Sequence, residues 1–408
     1  MSLTSGNKTL SRAKLMEIKL SSLLEVTKAI NSNTSTQELL SIFENVLKNQ
    51  LNIGKLMLYS FDAGWKCILK FGSESDVEVD VEKDLSAIRE ISFIDFSGSS
   101  LKDHFDIVVP VYHKEDPLAY VLIGDVNDEK LEVSPIIKHL PFIQTLTNLI
   151  VVAIENKKLA KENIRQAAVR KELELASEMQ NMLFPTELPS NDRLEIDARY
   201  MPHQQVGGDY YDFIVLNENE VAFCVADVSG KGVAAALLMS NFQANLRILF
   251  NHTTSLTDLV KELNGKVMAS AKGEKFITLF IAKLNLVTKT LTYINAGHNP
   301  PLLMSDKTVS LLKIGTTGLG MLDELMKVKE GIVHLNNRTT IVCYTDGVTE
   351  LENEEGKDFG IDSLKKVMLE NNHLPMDELN NRIIFSINKH KGSRNYIDDI
   401  ALFSVRVF

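Results

Sequence analysis

Between Ile143 and Phe184 the chain has neither glycine nor proline. With no helix breaker, this stretch predicts one helix about 60 Å long at 1.5 Å per residue. Its first part, Leu149 to Ile154, is purely aliphatic and has no face suited to water. Its second part is charged: Lys157, Lys158, Lys161, Glu162, Arg165, Arg170, Lys171, Glu172 and Glu174. Apolar residues persist at Leu159, Ile164, Ala168, Leu175, Met179 and Met182, the last three with the spacing of a coiled-coil seam. A solvated connector and a dimerising helix both fit this pattern. We read residues 156–184 as a helical linker that joins two copies of the chain and carries a signal between domains. Pro185 and Pro189 end it. A chain of 408 residues has room for two or three domains, and the linker separates residues 15–155 from residues 185–408.

In the first domain, Leu15, Ile18, Leu23, Val26 and Ile30 recur at helical spacing. Ser35 and Glu38 form a capping-box pattern at the start of a second helix, whose buried face is Leu39, Leu40, Phe43, Val46 and Leu47. Strand-like runs follow at 55–61, 65–71, 106–111 and 118–126. Helices, then antiparallel strands, then a helix is an α+β order. It resembles a GAF sensory domain over residues 15–155. A ligand-sensing role and a structural or dimerising role are both open.

The second domain is organised around residues 207–232. Gly207-Gly208-Asp209-Tyr210-Tyr211-Asp212 leads into an apolar run, and Asp227-Val228-Ser229-Gly230-Lys231-Gly232 follows a second one. The runs 213–216 and 221–225 read as a hairpin turning at Asn217–Glu220, which brings Asp209 toward Asp227. Two carboxylates about 4 Å apart repel by roughly 4 kcal/mol at an effective dielectric near 20, and a divalent cation is the usual compensation. Asp346-Gly347 ends the strand pattern 339–345, and Asp398-Asp399 precedes the strand pattern 400–407. Acids therefore stand at four strand edges: Asp209, Asp227, Asp346 and Asp398. An all-oxygen donor set selects magnesium or manganese over zinc. Further strands are predicted at 194–199, 276–286, 290–296, 302, 309–314 and 326–334, and helices at 232–250, 256–271, 361–370 and 376–388. Two blocks of strands and two pairs of helices suggest a layered α-β-β-α sandwich.

Gly207–Asp212, Asp227–Gly232, Ala296-Gly297-His298-Asn299-Pro300, Thr345-Asp346-Gly347-Val348 and Asp398-Asp399-Ile400-Ala401-Leu402 stand in the order seen in SpoIIE/RsbU-like phosphatases. These resemble metal-dependent type 2C protein serine/threonine phosphatases, and the resemblance covers about residues 185–408. It implies a dinuclear site holding two Mn2+ or Mg2+ ions. Asp209 corresponds to a first-strand ligand, Asp227 to the acid bridging both metals, Val228 to a main-chain carbonyl ligand, and Asp346 and Asp398 to ligands of the second metal. Catalysis would run through a water activated by the metals that Asp209 and Asp227 hold, attacking phosphorus in line. The implied substrate is a phosphoserine or phosphothreonine on a STAS-domain, anti-anti-sigma-like regulator. Asp399 is assigned no ligand role. Asp212 recurs in the family's motif, and a surface or structural role fits it equally; Lys231 is read as a solvated lysine, with holding the phosphate as the alternative, and His298 as a structural turn residue rather than a general acid.

Rival readings are weaker. Gly207-Gly208-Asp209 is shared with nucleotide cyclases, but Tyr210-Tyr211 follows it where those carry Glu-Phe. Ser229-Gly230-Lys231-Gly232 lacks the spaced glycine and the hydroxyl residue of a phosphate loop. An inert signalling scaffold would not need four intact acids. The net charge of −10 disfavours a nucleic-acid partner. Cys67, Cys224 and Cys343 lie in separate apolar runs and are expected to be buried thiols, which fits a reducing, cytoplasmic setting. Met1 to Leu10 has no signal-peptide core, and the run Leu149 to Ile154 is too short to span a membrane.

Overall fold

Ser35 and Glu38 cap each other as their spacing predicts. The Ser35 hydroxyl accepts from the Glu38 amide, and the Glu38 carboxylate accepts from the Ser35 amide. The structure is a computed structural model that describes residues 3–72, 79–94, 100–124, 139–252, 255–305 and 308–408. The chain divides into two units, Met1–Ala167 and Ala168–Phe408, and the division falls inside the expected linker.

The first unit opens with helices α1 (Leu3–Asn31) and α2 (Thr36–Asn45). Strands β1 (Lys55–Phe61) and β2 (Trp65–Phe71), helix α3 (Val81–Asp84), then strands β3 (Ser92–Phe93), β4 (Ile107–His113) and β5 (Asp116–Gly124) follow. The strands form one antiparallel sheet in the order β2-β1-β5-β4-β3. Alternation sorts its side chains between two faces. Leu56, Leu58, Val109, Val121 and Ile123 meet Val26, Leu39 and Phe43 from the helices, together with Ile143, Leu146 and Ile150. Met57, Val108, Tyr120 and Leu122 on the other face meet Val81, Leu85, Leu101 and Phe105. Residues 125 and 126 of the expected strand 118–126 lie outside the described residues. Cys67 departs from expectation: it is exposed, because β2 is an edge strand with a partner on one side alone.

Helix α4 (Leu140–Asn181) is the uninterrupted helix that the missing breakers predict. The second unit then runs β6 (Leu194–Met201), β7 (Tyr210–Asn217), β8 (Glu220–Val228), α5 (Val233–His252), α6 (Leu256–Ala271), β9 (Ile277–Asn285) and β10 (Thr290–Ala296). It continues with β11 (Leu302–Ser305), β12 (Thr308–Leu311), β13 (Gly315–Thr316), β14 (Gly331–His334), β15 (Thr339–Tyr344), α7 (Asp346–Thr349), α8 (Gly360–Asn371), α9 (Met376–Lys391) and β16 (Ile400–Val407). One sheet is ordered β13-β10-β9-β8-β7, with β14 also paired to β10; the other is β12-β11-β15-β16-β6.

The two sheets face each other. Phe223 and Tyr211 of the first stack on Phe403 of the second, with ring centroids 5.6 and 5.7 Å apart. Met239, Phe242 and Leu246 of α5 and Leu259 and Leu263 of α6 join the same core. On the far side, Leu364 and Met368 of α8 and Leu379, Ile383 and Ile387 of α9 cover Val342, Tyr344, Ile400 and Leu402. The unit is thus an α-β-β-α sandwich. Among the described residues, α5 is long and apolar enough to cross a membrane, but its apolar face is spent on the sheet. The strand expected at 326–334 is shorter than its apolar pattern suggests: only Gly331–His334 pairs with β10, while the Lys329 amide turns to Gly315.

Asp212 proves to be fully buried, not a surface acid. Its two oxygens accept from Nε and Nη2 of Arg247 on α5, both at 2.8 Å, and from the Tyr210 hydroxyl at 2.6 Å. A bidentate pair of this kind fixes the angle as well as the distance between strand β7 and helix α5. Arg247→Ala would strand the Asp212 charge in the interior. It should cost about 2–3 kcal/mol of stability, read from the urea midpoint of the full-length protein.

Candidate metal centre

The β7–β8 hairpin sets the geometry. Its register pairs Tyr210 with Ala226, so one step further Asp209 stands opposite Asp227. Asp227 is also paired with Thr278 of β9, which holds it in the middle of the sheet. Asp209 immediately precedes β7 and Asp227 is the penultimate residue of β8. From the second sheet, Asp346 follows β15 as the first residue of the one-turn helix α7, and Asp398 lies two residues before β16. The same end of both sheets therefore carries all four acids.

Their mutual effect is visible in their acidity. Burial, then the charge of Asp227, raises the Asp209 pKa well above the usual carboxylate range, while a hydrogen bond from Thr345 works the other way. Burial, then Asp346 and Asp398, pushes Asp227 up to about 7. Burial, then Asp398, raises Asp346. Three carboxyls resist ionisation in one cluster, and the charge of Lys231 beside Asp346 does not restore it. Asp209 Oδ2 is buried with no hydrogen-bond donor, and that orphaned oxygen is the feature a hard cation satisfies. The donors are all oxygen, so the residues fit magnesium or manganese. Among the described residues, no three acidic, histidine or cysteine side chains form a group that could hold an ion as they stand.

Main-chain approaches explain the glycines. A Cβ on Gly208 would lie 2.9 Å from the Val228 carbonyl oxygen, so glycine there lets that carbonyl close on the loop. A Cβ on Gly347 would collide with the Asp399 carbonyl.

Several residues that sequence reasoning did not assign hold this end together. Asp399 is buried and accepts from the amides of His203 and Gly208, both at 2.7 Å, tying the Gly-Gly loop to the start of β16. The Thr345 hydroxyl accepts from the Ala401 amide at 2.9 Å. Gln180, at the end of α4, brackets Gly207: its Nε2 donates to the Gly207 carbonyl at 2.7 Å and its Oε1 accepts from the Gly207 amide at 3.2 Å. Each of these contacts depends on backbone atoms brought in from a distant segment, so no local pattern announces them.

His298 is buried beneath the site, with Nδ1 2.8 Å from the Thr278 hydroxyl, and desolvation lowers its pKa to about 4. It is therefore neutral near pH 7 and serves the Ala296–Pro300 turn, where its amide donates to Asn295 at 2.8 Å. Lys231 is not simply solvated: its ammonium is 2.9 Å from Asp398 Oδ2.

Residues 217–408 match the family model of Stage II sporulation protein E, SpoIIE. Asp227, Val228, Asp346 and Asp398 fall inside the matched region, and Asp209 just before it. The phosphoserine phosphatase RsbU of Bacillus subtilis (strain 168) is 33% identical over 192 residues, 47% of this chain and 57% of that protein. The phosphoserine phosphatase RsbP of the same organism is 24% identical over 243 residues, 58% of each. The chain thus spans little more than half the length of these curated relatives. Among solved structures, the SiaA-PP2C domain of Pseudomonas aeruginosa superposes with a TM-score of 0.54 at 20% identity, covering 60% of this chain and 99% of that one. The second unit therefore has the fold of a PP2C domain, and its residues 217–408 are similar to SpoIIE and to RsbU.

The raised carboxyl pKa values set a pH dependence. An unfolded aspartate titrates near ~3.9, whereas Asp227 folded holds its proton to about 7. Its contribution to stability is complete below the unfolded value and is lost as pH rises through the folded one. Between pH 5 and 8, the metal-free melting temperature of Asp227→Asn should therefore fall less than that of the wild type, by ~2–5 °C. Circular dichroism melts with a chelator present make the comparison.

Proposed function

We propose that the protein is a metal-dependent phosphatase acting on phosphoserine or phosphothreonine in a protein. The observation that carries the reading is the meeting of Asp209, Asp227, Asp346 and Asp398 at one end of the sandwich, with a buried oxygen of Asp209 left unsatisfied. Two divalent cations, when bound, would activate water and neutralise charge on the phosphoryl oxygens. Asp209, Asp227 and the Val228 carbonyl are suited to hold one, and Asp227, Asp346 and Asp398 the other. The two-sheet scaffold keeps these oxygens on rigid strand ends, which a site of this kind requires. His298, neutral and buried, is left out of the proton transfers.

The relatives named phosphoserine phosphatases favour phosphoserine as the substrate. By the same analogy the substrate is a small STAS-type regulator in a partner-switching circuit. We take the first unit as a GAF-like sensor. We take α4 as the dimerising helix, since Leu159, Ile164 and Met179 along its course, and Met182 just past its end, are all more than half exposed.

Manganese should support hydrolysis of p-nitrophenyl phosphate and of a phosphoserine peptide, and a chelator should abolish both. Asp227→Asn and Asp346→Asn should each lower turnover by at least ~100-fold, beyond the usual effect of residues that merely support metal ligands, with an unchanged circular dichroism spectrum. Wild-type turnover in either variant would remove the assignment. The full-length protein should sediment as a dimer at micromolar concentration; a monomer there would count against the helix pairing.

A further inference from the structure

Lys231 sits where a cation should go. Its ammonium is 2.9 Å from Asp398 Oδ2 and donates to the Ile397 carbonyl at 2.5 Å. One amine therefore occupies an oxygen of Asp398, an acid assigned to the second cation. We propose that Lys231 is a built-in counter-ion for the second-cation side of the site, and that a divalent cation must displace it to bind there. The proposal rests on reading Asp346 and Asp398 as cation ligands.

Three features support exchange over a fixed structural pair. First, the pair is accessible: the Lys231 and Asp398 side chains are 43% and 35% exposed. A half-exposed ion pair is weak and gives way to a stronger partner. Second, the lysine stands between two hinge positions. Gly230 and Gly232 adopt φ of +88° and +74°, so only Gly230-Lys231-Gly232 need re-fold for the side chain to leave. The preceding residue stays put: the Ser229 hydroxyl accepts from the Phe276 amide at 2.9 Å, and the Ser229 carbonyl accepts from Lys275 at 2.8 Å. Third, among the described residues no group of acids forms a ready cage, as expected while one of them is turned to an ammonium. Asp209 Oδ2, by contrast, has no hydrogen-bond partner among the described residues. The two sides of the site thus differ: one is open and unsatisfied, the other is plugged.

The consequence is an asymmetry in loading. The Asp209 side binds its cation without competition, and the Asp346–Asp398 side binds against Lys231. Titration of the full-length protein with Mn2+, followed by the electron paramagnetic resonance of free Mn2+, tests this. Lys231→Met should tighten the weaker class of sites by about two- to fivefold, the worth of a half-exposed ion pair, and leave the tighter class unchanged. Lys231→Arg should keep the wild-type affinity. In an Asp398→Asn background, Lys231→Met should have no effect. Equal or weaker binding by Lys231→Met than by the wild type would overturn the proposal while leaving the metal centre in place. If Asp227→Asn binds as many ions as the wild type with the same affinity, the cations lie elsewhere, and the metal centre and the role of Lys231 fall together.

Discussion

The β7–β8–β9 ladder forces together charges that would otherwise keep apart. Asp209 and Asp227 face each other because their flanking residues pair along the strands, each pair adding backbone hydrogen bonds and buried side-chain contact. The aromatic core between the sheets, with Phe223 and Tyr211 each against Phe403, holds this register against slippage. A slip of one residue would swap the side chains of β8 between the face that meets the second sheet and the face that meets α5 and α6. Repulsion of a few kcal/mol between carboxylates cannot overcome that, so the strain is retained in the folded protein and becomes available to a cation.

Around the acids lies a ring of hydrogen bonds to main-chain groups. Asp399 grips the Gly208 amide, Thr345 the Ala401 amide, and Gln180 both polar atoms of Gly207. These residues bind no ion in our reading. They fix the positions of the backbone segments from which Asp209, Asp346 and Asp398 project, and they draw on three separate stretches of chain. The Asp212–Arg247 pair extends the same logic to α5, which begins directly after the Lys231 loop.

Much of the fold could be read from the chain because it rests on local periodicity. The strands 55–61, 65–71, 290–296 and 400–407 and the helix 256–271 coincide with their apolar patterns, and the absence of glycine and proline announced α4. Where tertiary context decides, the reading stops. Cys67 alternates like a core residue yet lies on an edge strand. Residues 326–330 are apolar enough for a strand but find no pairing partner beyond Gly331. At the site, the acids could be picked out because aspartate at a strand end, with glycine beside it at 209 and 346 and close by at 227, is a recognisable pattern. Asp212 and Asp399 stand within the same motifs and do different work, and only their partners, an arginine 35 residues away and amides about 190 residues away, tell them apart. Lys231 is chemically unremarkable until its distance to Asp398 is known.

The Gln180 bracket bears on how the chain can be cut. Proline at 185 invites a boundary there, yet the last turn of α4 closes the Gly207 loop, and Phe184 lies against Tyr200, Tyr210 and Tyr211. A fragment starting at 185 would leave the Gly207 amide and carbonyl bare and strip an aromatic lid from the first sheet. The tail of the helix is thus part of the second unit, and a fragment meant to fold alone must keep it.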